Sequence, residues 1–170
     1  MKPLTIHQIN ALDRDAFVAA FGGIVERSPW VAEVAWQARP FADRAALHAA
    51  MVAALRSASP DAQLAVVRAH PDLAGRAAIA GDLTPESTRE QASAGLDRLT
   101  PDEYAEFTRL NTSYSQRFDF PFVICVREHD KAGILRAFRE RLHNDRPAEL
   151  STAVGEVAKI AALRLADAVA

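Results

Sequence analysis

His70 sits between the apolar stretch LAVVRA and the stiff pair Pro71-Asp72. An imidazole held there exchanges a proton near neutral pH. Burial lowers its pKa and a neighbouring carboxylate raises it. A histidine that simply ends a helix and bonds a backbone carbonyl fits the same position, and on the residues alone that is the commoner arrangement. Ser87, Glu90 and Gln91 stand at i, i+3 and i+4, which share one face of a helix. A hydroxyl, a carboxylate and an amide make a polar set rich in donors and acceptors. A solvated helix face is the commoner meaning of such a triplet. Arg164 lies among Val157, Ile160, Ala161 and Leu165, an apolar arc at helical spacing. An arginine there reaches out to solvent along its stem, pairs with an acidic side chain of the fold, or holds an anion with its planar fork.

Other chemistries find little in this chain. His7, His48, His129 and His143 have no metal-ligand spacing, and there is no HExxH pattern or cysteine pair. A glycine-rich phosphate loop and a GxSxG elbow are both absent from the sequence. Glu128-His129-Asp130 reads as a loop with a helix cap. Net charge is -2, without the basic stripe of a nucleic-acid binder. No apolar run approaches the ~20 residues of a membrane helix. Cys125 is the single cysteine, so no internal disulfide forms. MKPLTIHQIN has no apolar signal core, and LADAVA carries no peroxisomal tripeptide. These features predict a soluble cytoplasmic protein with no metal.

The elements that must position these residues are helices. At 170 residues and 49% hydrophobic content, the chain suits one domain or a compact pair of subdomains, with a real core. Asp13 caps a helix ended by Gly22-Gly23. Ser28-Pro29 opens a second, closed by Pro40. A third runs from about Asp43 to Arg56. Ser59-Pro60 opens a fourth, which Pro71 stops near His70. Thr84-Pro85 opens a helix to about Leu96. Thr100-Pro101-Asp102-Glu103 is a capping box for a helix to about Arg117. Asp130 caps a helix to about His143, and the last runs from near Pro147 to Ala168. Two stretches resist the pattern: His70–Leu83, and the apolar run Phe118–Val126, read as an extended segment among helices. The fold class is all-α, with residues 1–170 as one domain.

Several motifs resemble one family in order along nearly the whole chain. They are FGGIVERSPWVAE near the start, HPDLAG at His70–Gly75, STREQASAGLD at Ser87–Asp97, LNTSY at Leu110–Tyr114, FPFVIC at Phe120–Cys125 and GEVAKIAALRL at Gly155–Leu165. Together they resemble the OHCU decarboxylases, which act on 2-oxo-4-hydroxy-4-carboxy-5-ureidoimidazoline. The resemblance implies an all-α fold peculiar to the family and conversion of OHCU to (S)-allantoin with loss of CO2. It implies His70 as the catalytic proton donor, Glu90 as its partner and Pro71 beside it. It assigns substrate contacts to Ser87, Thr88, Arg89 and Gln91, to the segment Phe122, Val123, Ile124, Cys125 and Val126, and to Arg164. It also implies a homodimer. The family usually has glycine where Asp119 stands, and often lysine where Arg76 stands. Aspartate tolerates left-handed backbone better than most residues, so the turn survives the change.

Such a substrate needs no cofactor. Its carboxylate sits on a hydroxyl-bearing carbon next to a ring C=N, which accepts the electrons as CO2 leaves. The protein must bind a polar heterocycle, hold the carboxylate against an apolar wall, and deliver a proton to one face. A positioned histidine contributes roughly 10²–10⁴-fold to such a step. Two other functions compete: a metal-independent hydrolase of a related ureide, and a helical binding domain without chemistry.

Overall fold

The computed structural model describes residues 3–170. Among the described residues ten α-helices follow one another: α1 (Ile6–Ala11), α2 (Arg14–Phe21), α3 (Trp30–Trp36), α4 (Arg44–Ser57), α5 (Pro60–Arg68), α6 (Arg76–Ala80), α7 (Pro85–Ser93), α8 (Pro101–Phe118), α9 (Lys131–Arg141) and α10 (Arg146–Ala168). A 3₁₀ turn, Val126–Glu128, precedes α9. The described residues contain no strand, only an isolated bridge between Leu4 and Val169. The fold is all-α.

Local chemistry sets most helix starts. The side chains of Asp13, Asp43, Ser59, Thr84 and Asp130 each accept a backbone N–H from three residues on. Thr100 and Glu103 form the reciprocal box at the head of α8. Each such cap stabilises by about 1 kcal/mol. Asp119 ends α8 in the left-handed region at φ 62°, its N–H bonded to the Ser115 carbonyl at 2.9 Å. The turn does survive without glycine.

Four details differ from the sequence reading. Thr5 and Gln8 form a capping box that starts the unforeseen α1. Ser28 does not cap α3, because its hydroxyl donates to the Glu26 carbonyl at 2.9 Å. That helix ends at Trp36 rather than Pro40: the Arg39 guanidinium lies 4.0 Å over the Trp36 ring and donates to the Leu12 carbonyl at 2.6 Å. Helix α7 stops at Ser93, short of Leu96, because Gly95 turns left-handed (φ 75°) and the Leu96 N–H returns to the Gln91 carbonyl. The short α6 breaks up the stretch His70–Leu83.

The chain divides into two units, Met1–Ala69 with Val157–Ala170, and His70–Glu156. In the first, α2 packs on α3 and α3 on α4. Phe17, Phe21, Leu47, Met51, Leu55, Val67 and Leu165 are its buried centre. In the second, α8 packs on α9. An aromatic cluster of Phe107, Tyr114, Phe118, Phe120, Phe122 and Phe138 fills it, with the Phe122 and Phe138 rings stacked at 3.6 Å.

Candidate active site

His70 follows directly on the cap of α5, where the Ala69 N–H bonds the Ala65 carbonyl at 3.0 Å. It is 8% exposed. The turn after it, Pro71–Gly75, cannot form a helical ladder, so side chains from elsewhere satisfy its backbone. The Gln91 side-chain oxygen accepts the Ala74 N–H at 3.0 Å. The Asn111 amide donates to the Leu73 carbonyl at 2.8 Å. These two bonds hold Ala74 in left-handed geometry at φ 51°, which costs a side-chain-bearing residue about 1–2 kcal/mol. Gly75 is required: a Cβ there would stand 2.7 Å from the Asp72 Cβ. Asp72 is half-buried, and that burial raises its carboxyl pKa above the ordinary value.

Helix α7 presents the predicted polar face. Ser87 and Gln91 are buried and Glu90 is half-buried. Thr88 and Arg89 lie on the exposed side. The Thr88 hydroxyl donates to the Thr84 carbonyl at 3.0 Å, and Arg89 pairs with Glu86 at 3.3 Å. An exposed pair of that kind contributes little. The helix packs against the 3₁₀ turn that follows the apolar segment. A groove of ≈ 560 Å³ also borders α7, lined by Ala74, Leu83, Thr88, Gln91, Leu96 and Tyr104 among others. His70, Ser87 and Glu90 are not among the residues that line it.

The apolar segment is neither helix nor strand, and Phe120 and Phe122 through Val126 are buried. Two charged side chains hold its backbone. Arg141 donates to the Val123 carbonyl at 2.7 Å and lies 4.4 Å over the Phe122 ring. Glu156 accepts the Cys125 N–H at 2.8 Å. The Cys125 carbonyl accepts the Glu128 N–H at 3.0 Å. No described residue bonds the N–H or the carbonyl of Ile124. Arg141 is itself clamped by Glu149 at 2.5 Å, and Glu149 also accepts from the Tyr114 hydroxyl and from Asn144 at 2.8 Å. Burial pushes the Tyr114 phenol pKa up, and the bond to Glu149 adds to the shift.

Arg164 belongs to the other unit. Its guanidinium donates to Glu26 at 3.0 Å and to the Gly23 carbonyl at 3.3 Å. Both side chains are buried, 4% and 2% exposed. The pair with an acidic residue of the fold, one of the three arrangements open to an arginine in that arc, is present. With the Ile24 carbonyl at 3.5 Å, three contacts from one nitrogen fix the plane of the fork.

Sequence reasoning overlooked Glu26, Asn111, Arg141, Glu149 and Glu156. A signal existed for some of them. Glu26 and Asn111 lie inside the quoted motifs, and Glu149 and Glu156 are spaced two helical turns apart on an otherwise apolar face of α10. Among the described residues no three His, Cys, Asp or Glu side chains cluster as metal ligands.

Residues 10–166 match the family model described as OHCU decarboxylase. The 2-oxo-4-hydroxy-4-carboxy-5-ureidoimidazoline decarboxylase of Haloferax volcanii is 46% identical over 167 residues, covering 98% of this chain and 97% of that protein. The chain belongs to the OHCU decarboxylase family. Solved structures of the family agree in fold. The crystal structure of an (S)-allantoin synthase superposes with a TM-score of 0.80 at 28% identity, covering 99% of this chain. This chain spans 54% of that one, about half its length. A crystal structure of OHCU decarboxylase in the presence of (S)-allantoin gives a TM-score of 0.67 over 92% of this chain and 97% of that one, at 24% identity. The family is one of carboxy-lyases. Among the described residues no helix is long and apolar enough to cross a membrane.

Proposed function

We propose that this member of the family decarboxylates OHCU to (S)-allantoin, a step of uric acid degradation, with His70 as acid/base. The observation that carries the reading is the construction around His70. A nearly buried imidazole heads a turn whose strained backbone is pinned by Gln91 of the polar α7 face and by Asn111 of α8. This construction supports an acid/base role, because a group fixed in place before substrate arrives needs no further ordering to react.

The electron flow fits such a group. The bonding pair to the departing carboxylate forms a double bond between the two ring carbons, and the C=N pair passes to nitrogen, which takes a proton from solvent. The hydroxyl then becomes a carbonyl as its proton leaves, and the ureido-bearing carbon takes a proton. His70 assists loss of the first proton and delivers the second to one face. Glu90 favours the charged imidazole and orients it. Pro71 supplies wall, the turn Ser87–Gln91 and the backbone of Phe122–Val126 supply hydrogen bonds, and Arg164 anchors an anionic or carbonyl oxygen. No step requires a cofactor. Residues 1–170 act as one catalytic domain, in keeping with a family model that spans 10–166. The resemblance further implies a homodimer, and the sequence features point to the cytoplasm; sedimentation at equilibrium and fractionation test those two points.

OHCU decays spontaneously to racemic allantoin, so the test is chiral. Circular dichroism of product formed from fresh OHCU shows one enantiomer with the wild-type protein and a near-racemate with His70→Ala. Turnover to a single enantiomer at near-wild-type rate by His70→Ala would refute the role of His70.

A further inference from the structure

We propose that Arg141 and Glu156 are positioning residues, which together aim the N–H and carbonyl of Ile124 at the substrate. The inference rests on the reading of Phe122–Val126 as a substrate-contacting segment.

A peptide group is planar, and in its trans form the C=O and the following N–H point in opposite directions. The Val123 carbonyl and the Ile124 N–H belong to one such plane. The Ile124 carbonyl and the Cys125 N–H belong to the next. Arg141 fixes the first plane by holding the Val123 carbonyl at 2.7 Å. Glu156 fixes the second by holding the Cys125 N–H at 2.8 Å. With both outer groups held, the directions of both Ile124 groups follow. These are the two groups that no described residue uses.

The clamps are themselves immobilised. Arg141 meets Glu149 at 2.5 Å through one nitrogen and 2.6 Å through another, and its plane rests on the Phe122 ring. Glu149 is fully buried and also tied to Tyr114 and Asn144. A buried ion pair is a poor device for stability alone, since apolar residues of similar volume serve as well or better. Its use here is geometric. A segment outside helix and strand lacks a ladder to fix its peptide planes, and two charged side chains take over that task. The result is one rigid backbone donor and one rigid acceptor. That pair matches a ligand carrying an amide or ureide, which offers a carbonyl and an N–H side by side.

The experiment has two parts. Amide spectra of the wild-type protein are recorded during titration with (S)-allantoin. A large shift of the Ile124 resonance is expected; its absence at saturation would show that the segment is not a contact, independently of Arg141 and Glu156. Glu156→Ala, Glu156→Gln and the double variant Arg141→Met with Glu149→Met are then assayed with fresh OHCU. Glu156→Ala and the double variant are expected to raise KM about tenfold, the worth of one hydrogen bond near 1.4 kcal/mol, with kcat within about threefold. Glu156→Gln keeps an acceptor for Cys125 and restores KM. If the Ile124 resonance responds but folded Glu156→Ala and the folded double variant both retain wild-type KM, the positioning role is overturned. A Gln variant as weak as Ala overturns it equally.

Discussion

Gln91→Met tests how the site is held. Methionine keeps the length and volume of the side chain but removes the acceptor of the Ala74 N–H, a bond of 3.0 Å between buried residues. An N–H left unsatisfied inside the protein costs about 1–3 kcal/mol. Unfolding entropy near 2.1 cal/mol/K per residue gives about 0.36 kcal/mol/K for a chain of this length, so Tm falls by about 3–8 °C. A local effect accompanies the global one. Ala74 is held at φ 51°, at a cost of about 1–2 kcal/mol that the Gln91 and Asn111 bonds offset. Losing one bond removes about as much free energy as that strain stores, so the turn opens more often, and His70 moves with it. Hydrogen exchange at the Ala74 amide speeds up roughly 5–150-fold, the same 1–3 kcal/mol expressed as an equilibrium. Misplacement of an acid/base group by ~1 Å costs on the order of 10²-fold in rate, so kcat/KM falls by about tenfold or more. The measurements are a thermal melt, amide exchange by NMR and the chiral assay. A Tm within about 1 °C of wild type, together with unchanged kcat/KM, would show that the Gln91 bond does not hold the turn.

Three further outcomes are expected. Glu26→Ala removes the carboxylate paired with the buried Arg164 and lowers stability by about 3–5 kcal/mol; Glu26→Met with Arg164→Met recovers most of that loss, and denaturant melts showing no recovery would mean that the charge pairing is not the cause. Ala74→Gly relieves the left-handed strain and gives back about 0.5–1 kcal/mol in unfolded-state entropy, so a small net gain in Tm is expected, and a drop of several degrees contradicts the strain assignment. Asp72 has its carboxyl raised by burial, so the native state binds more protons than the unfolded one between the ordinary value of 3.8 and the raised value. Stability from this group therefore falls as pH rises through that window, and Asp72→Asn flattens the fall; parallel Tm–pH curves for both proteins would contradict it.

The helix starts were legible in the residues because a cap is a local event. Asp13, Asp43, Ser59, Thr84, Thr100 and Asp130 each act on an N–H three residues away. Gly75 is equally local, since the clash it avoids is with Asp72. Ser28 shows the limit of such reasoning. A hydroxyl in the right place took the Glu26 carbonyl two residues back instead of opening α3.

Residue type and surroundings singled out His70 and Arg164, helical spacing grouped Ser87, Glu90 and Gln91, and motif resemblance assigned their roles. The bonds that give these residues their places were not legible, for they join residues far apart in the chain. Gln91 reaches Ala74 across 17 positions, Glu156 reaches Cys125 across 31, Asn111 reaches Leu73 across 38, and Arg164 reaches Glu26 across 138. Each satisfies a backbone group or a charge that no neighbour in sequence can satisfy. Local chemistry therefore decides where the helices begin. Which side chain completes the hydrogen bonding of a turn or an extended segment depends on what packing brings within 3 Å of it, and only the tertiary structure decides that.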